Sequence, residues 1–142
     1  SKNYSYFHDQ VGYNYRLPAI NAALGNSQIK ELENKVSNFR EIHTKYKILL
    51  KNIEELKIFS EVENAYSNYW LNLFLLKDKP SKEEKNEFIK KLNASGIGAR
   101  NVWNPLFDLP FVDIDNELDY QNTNYIYNYG FNLPSTSKLN IW

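Results

Sequence analysis

HDQVGYNYRLPAINAALGNSQ, residues 8–28, decides how the rest of this chain reads. A turn rich in Gly, Tyr, Asn and Arg runs directly into a helix whose apolar stripe begins at Ile20. Pro18 suits the first helical turn, because its missing N–H would have no acceptor within the helix. Backbone amides, the Asn14 carboxamide and the Arg16 guanidinium are thereby gathered at the positive end of a helix, where an anion can sit.

Outward from Pro18, Ile20, Leu24, Ile29, Leu32, Val36, Phe39, Ile42, Tyr46, Leu49, Ile53 and Leu56 recur every three or four residues. That stripe predicts one long amphipathic helix or two end to end, with a kink at Gly25 and Asn26. At ~1.5 Å per residue it would reach ~50 Å, more than a small core needs, so part of it is expected to pack on a surface outside this chain. The aromatic, apolar run 66–76 (YSNYWLNLFLL) reads as a buried strand. Ser81 and Glu84 form a capping box for a helix that Gly96 ends. Residues 97–102 read as a second strand and 103–115, with Pro105 and Pro110, as an ordered loop. Asn116 is read as the cap of a helix stopped by Gly130, and 131–137 (FNLPSTS) as loop. The expected fold class is α+β, a single domain with helices covering one face of a small sheet. The apolar stub 139–142 has the look of a truncated element.

Composition narrows the function. Formal net charge is zero, with 17 basic and 17 acidic residues, so no global field attracts nucleic acid or an acidic membrane. Cysteine is absent, which removes thiolate metal sites and cysteine nucleophiles and fits a reducing cytoplasm. The apolar run near residue 70 is far too short to span a membrane, and no secretory signal is visible. Asp113, Asp115, Glu117 and Asp119 lack the glycine and terminal glutamate of a calcium loop and read as helix capping, so no metal site is expected. Arginine occurs only at Arg16, Arg40 and Arg100 in a chain rich in lysine and asparagine.

Three words stand in order along the chain. The first is His8, then Val11-Gly12-Tyr13-Asn14-Tyr15-Arg16, then Asn21-Ala22-Ala23-Leu24-Gly25. The second is Gly96-Ile97-Gly98-Ala99-Arg100-Asn101-Val102-Trp103-Asn104-Pro105-Leu106-Phe107. The third is Gly130-Phe131-Asn132-Leu133-Pro134-Ser135. Together they resemble the C-terminal small domain of the DegT/StrS family of sugar-nucleotide aminotransferases. Two positions depart from that pattern: Asn101 stands where the family usually has proline, and Phe107 where it usually has histidine.

The resemblance implies an α+β domain of a larger enzyme that uses pyridoxal 5'-phosphate and aminates a keto-sugar nucleotide for glycan building. The lysine that carries the cofactor in such enzymes lies upstream, so no lysine here is assigned as catalytic and residues 1–142 alone are expected to be inactive. Asn14 matches the asparagine that one subunit lends to its neighbour's cofactor phosphate, and Arg16 is placed at the same anion or at the substrate. This implies a homodimer with shared active sites, taking a sugar nucleotide and an amino-acid amino donor, with no nucleic-acid or membrane partner. Arg100 and Trp103 read as a substrate wall, one pairing with phosphate and the other stacking a sugar or base. Trp103 reads equally as core between strand and loop. His8 reads as an ordinary loop histidine. Two alternatives remain: a sugar dehydratase of the same fold, and a non-enzymatic carbohydrate-binding module.

Overall fold

A computed structural model describes residues 13, 15–108 and 119–136 of the 142. By their internal contacts the residues form two units, Ser1–Leu32 and Glu33–Trp142. The described part of the first holds helix α1, Ala19–Ile29, which Pro18 precedes in an extended conformation at φ −60° and ψ 144°. Leu17, Ile20, Leu24 and Ile29 are all exposed, and α1 buries none of its residues. Gly25 lies within α1, and the helical run breaks instead at Lys30 and Glu31 before α2, Leu32–Leu49. The expected kink at Gly25 is therefore displaced by five residues. Glycine weakens a helix only modestly, and nothing about Gly25 forces it out of helical geometry.

The second unit is a four-stranded antiparallel sheet of order β1-β2-β4-β3, from Leu56–Ile58, Asn72–Leu76, Gly130–Leu133 and Arg100–Asn101 respectively. Phe74 and Phe131 pair across β2 and β4 and so share a face. On that face Tyr46 of α2 meets Phe74 edge-on at 5.4 Å between ring centroids, and Phe88 of α3 (Lys82–Ala94) meets Phe131 likewise at 5.4 Å. Two helices thus cover one face, with Ile42, Tyr46, Phe74, Ile89, Ala99 and Phe131 as the buried core. The α+β expectation holds.

Helix α3 begins and ends as its sequence specifies. Ser81 Oγ accepts from Glu84 N at 3.2 Å while Glu84 Oε2 accepts from Ser81 N at 2.7 Å. At the other end Gly96 takes φ +83°, its N–H reaching Asn93 O while Ile97 N–H reaches Leu92 O. That pair of bonds satisfies the last carbonyls through a left-handed residue, which glycine adopts without strain. A single 3-10 turn, Leu106–Asp108, lies within the loop after β3. Helix α4, Gln121–Tyr129, starts later than expected, with Gln121 N donating to Asp119 Oδ1, and runs directly into β4. Asn116, the expected cap, and Asp113 and Asp115 lie outside the described residues.

Three segments differ from the sequence reading. Residues 131–133, within the stretch 131–137 read as loop, belong to β4 (Gly130–Leu133), an inner strand of the sheet. Leu56, read as the end of the helical stripe, begins β1. The strand expected over 66–76 is confined to Asn72–Leu76.

Candidate functional site

The start of α1 presents donors to solvent. Pro18 as N-cap has no side chain that can accept from the first-turn amides, and no acidic residue stands in that turn. The amides of Ala19, Ile20 and Asn21 fall among those with no acceptor inside the helix. Arg16 is exposed two residues earlier, and the exposed rings of Tyr13 and Tyr15 lie 5.9 Å apart. Open amides with a guanidinium fit a phosphate by chemistry and by the sign of the helix dipole. Asn14 and His8 lie outside the described residues.

A second site is assembled by the sheet. Antiparallel pairing sets Arg100 against Asn132 and Asn101 against Phe131, so the second and third sequence words become neighbours. Between them opens a groove of about 550 Å³ lined by Arg100, Gly98, Asn132, Pro134, Ser135 and Trp70, among others. Trp103 is 74% exposed, and its ring meets that of Trp70 edge-on at 6.1 Å. A guanidinium and the Trp70 indole thus line one groove, with the solvent-facing Trp103 ring against Trp70, which suits a ligand with both an anionic and a flat or ring-shaped part. Exposure removes the reading of Trp103 as core. Ser135 Oγ donates to the Trp70 carbonyl, and Tyr46 of α2 donates from its hydroxyl to Pro134 O at 2.9 Å, so the groove wall is fixed from two sides.

Trp70 owes its position to a polar network under residues 60–70. Arg40 forms a two-pronged pair with Glu61, at 2.9 Å and 2.6 Å, and also donates to Ser67 O at 2.6 Å. Glu61 accepts in turn from Ser67 N at 2.7 Å. The Arg40 guanidinium lies 4.1 Å from the Tyr66 ring centre. The bonds from Arg40 and from the Ser67 amide hold the Glu61 carboxyl down at about 2. Next to it, His43 is buried and stacked on Tyr69 at 3.7 Å with 9° between planes. Its Nδ1 is 2.9 Å from Asn72 Oδ1. Burial lowers the His43 pKa against the opposing effect of the Asn72 bond; Lys47 and Arg40 also lower it and Glu61 raises it. Tyr69 sits at φ +47°, strained for a non-glycine residue, and the stacking on His43 offsets that cost. Arg40 and His43 are therefore structural, and Trp70, whose sequence reading favoured core packing over a carbohydrate-stacking face, instead lines the groove. Among the described residues no group of three His, Cys, Asp or Glu could hold a metal ion.

The sequence profile of the DegT/DnrJ/EryC1/StrS aminotransferase family matches residues 1–141. This chain belongs to that family. Among its relatives is GDP-perosamine synthase of Escherichia coli O157:H7, 32% identical over 143 residues, 94% of this chain and 35% of that protein. Helicobacter pylori PseC, an aminotransferase involved in the biosynthesis of pseudoaminic acid, shares the fold at a TM-score of 0.79 and 21% identity, over 99% of this chain and 38% of PseC. The E. coli GDP-4-keto-6-deoxy-D-mannose-3-dehydratase with bound hydrated PLP does so at 0.74 and 22%, over 89% of this chain and 33% of its own. The chain spans about a third of the length of the curated relatives it matches. Its two departures from the family words both have packing partners: Asn101 Nδ2 donates to Asn86 Oδ1 at 3.1 Å, and the Phe107 ring packs on Tyr120 at 4.5 Å. No described helix is long and apolar enough to cross a membrane.

Proposed function

We propose that the chain is the C-terminal small domain of a pyridoxal-phosphate-dependent aminotransferase that aminates a keto-sugar nucleotide in the cytoplasm, with an amino acid as donor. The observation that carries this reading is the β3–β4 pairing, which turns two separate family words into one groove lined by Arg100 and Trp70, with Trp103 packed against Trp70. Pyridoxal phosphate, held mainly by the rest of the protein, supplies the electron sink for amino transfer.

This chain's residues bind and orient. Arg16 and the open amides at α1 meet the cofactor phosphate together with Asn14, across a homodimer interface, so that each active site draws on both subunits. Arg100 pairs with the diphosphate of the sugar nucleotide, and Trp103 with Trp70 stacks on its flat portion. Strand pairing and the Arg40–Glu61 brace keep these groups in place before substrate arrives, which lowers the ordering cost of binding. No lysine of this chain is given the cofactor, so residues 1–142 alone carry no amino transfer.

The test is product analysis with the full-length protein, pyridoxal phosphate, glutamate and a panel of nucleotide-linked keto-sugars. An amino-sugar nucleotide seen by mass spectrometry is the expected product. A dehydrated sugar without nitrogen would instead assign the dehydratase reaction that a neighbour of the same fold is named for. Amino transfer by residues 1–142 alone would overturn the division of labour. Asn14→Ala and Arg16→Ala should each lower cofactor retention by about ten-fold or more while leaving thermal stability of the apoprotein nearly unchanged.

A further inference from the structure

Residues of α3, α4 and the loop after β3 line a cleft of about 280 Å³. Lys85, Asn86, Asn101, Asn104, Tyr127 and Ser81 are among the residues that line it. Arg100 and Asn101 are successive residues of β3, and each lines only one of the two cavities, which share no lining residue. The cleft is thus separate from the proposed substrate groove.

Lys85 is only 4% exposed, an unusual setting for an ammonium group. Its Nζ donates to Tyr127 O at 2.7 Å and more weakly to Gly130 O at 3.5 Å. Among the described residues no carboxylate pairs with it, and Glu84 one position earlier is committed to the Ser81 cap. Burial lowers its pKa, and the nearby charge of Lys82, which also lines the cleft, acts in the same direction. A buried ammonium without a counter-charge is costly, and carbonyl dipoles offset only part of that cost.

The carboxamides around it are turned one way. Asn86 Oδ1 accepts from Asn101 Nδ2, and Asn104 Oδ1 accepts from the Tyr127 hydroxyl at 2.9 Å. The oxygen of each amide thereby accepts one hydrogen bond. Among the described residues the Asn86 and Asn104 NH2 groups take no acceptor. What these three residues offer the cleft is donors: two carboxamide N–H2 groups and an ammonium, from helix and loop. Asn101, the departure from the family's proline, is what occupies the Asn86 oxygen, because a proline has no donor to give. A donor-lined cleft with a buried cation is complementary to a ligand made of acceptors and negative charge.

We propose that the α3–α4 cleft binds a phosphate-sized oxyanion, with Lys85 as its counter-charge and the Asn86 and Asn104 amides as its donors. Three donors, two from successive residues of α3 and one from the loop after β3, suit the spread oxygens of a phosphate better than the two coplanar oxygens of a carboxylate.

Calorimetric titration of the cofactor-loaded full-length protein with inorganic phosphate tests this. A saturable site is expected, distinct from any phosphate binding at the Arg100 groove, that Lys85→Met weakens by about ten-fold or more. Because Lys85 also ties α3 to α4 and β4, Asn104→Asp is the second variant: Asn104 is exposed, so the fold is kept, and a carboxylate in the cleft should abolish phosphate binding. Arg100→Ala, in the other cavity, should leave this affinity unchanged. Glutarate is the competing probe, and it should bind more weakly than phosphate. Absence of phosphate binding, phosphate binding that both variants retain, loss of it in Arg100→Ala, or tighter binding of glutarate would each overturn the assignment.

Discussion

Glu61 is a carboxylate whose interactions exist only in the fold, and its titration gives the most direct readout of them. Its folded value of about 2 lies below the ordinary value of about 4.3, so its contribution is complete above the ordinary value and is lost as the pH falls from there toward 2. His43 is also depressed, so its contribution is present above about 6.5 and is lost as the pH falls below it. Urea midpoints measured from pH 8 to pH 2.5 should therefore fall in two steps, and Glu61→Gln should shrink the lower one, to which Glu84 also contributes, while keeping the upper. An unchanged lower step in that variant would mean the Arg40 pair contributes nothing. The sequence held a faint sign of this network, since His43 follows Phe39 by four residues and precedes Tyr46 by three, on the buried side of the stripe. Nothing local marked Arg40 and Glu61 as partners, because they lie 21 residues apart and meet only when the segment after β1 folds over α2. Trp70 was hidden for a different reason: within an apolar run an indole reads as core, and only the turn at Tyr69 points it outward.

At the scale of elements, α3 was legible end to end because its signals are local and mutually consistent. Removing one of them should have the ordinary cost of a cap: Ser81→Ala is expected to lower stability by about 1 kcal/mol in urea denaturation. Strand β4 was illegible because its residues, GFNL followed by PSTS, have loop composition, and one large apolar side chain, Phe131, carries the burial. The glycine read as a helix stop is the C-cap of α4, and it is also the first residue of β4. A Cβ at Gly130 would overlap the Ile126 carbonyl oxygen and crowd Val102 and Leu73. Gly130→Ala should therefore cost about 2 kcal/mol or more, seen as a lowered urea midpoint, and a neutral result would contradict the tight α4–β4 turn. β1 escaped notice because Leu56 happens to continue a spacing of three after Ile53, which a helical template accepts whether or not the backbone does.

For the whole molecule, the family words outlast the errors in individual elements, because the residues they name are brought together by strand pairing that no local pattern encodes. Arg100 and Trp103 were readable as candidates, but the groove between β3 and β4 was not, since one of its strands was read as loop. The α1 end of the chain, with exposed Leu17, Ile20 and Leu24 and a donor-rich start, is the part whose role depends on the rest of the protein. The central claim is that the groove takes the sugar nucleotide while cofactor binding lies elsewhere. Steady-state kinetics of the full-length enzyme with Arg100→Ala tests it most directly. The account predicts a KM for the sugar nucleotide raised by about ten-fold or more, with cofactor loading and the KM for the amino donor unchanged. An unaltered sugar-nucleotide KM in a fully loaded Arg100→Ala enzyme would contradict it.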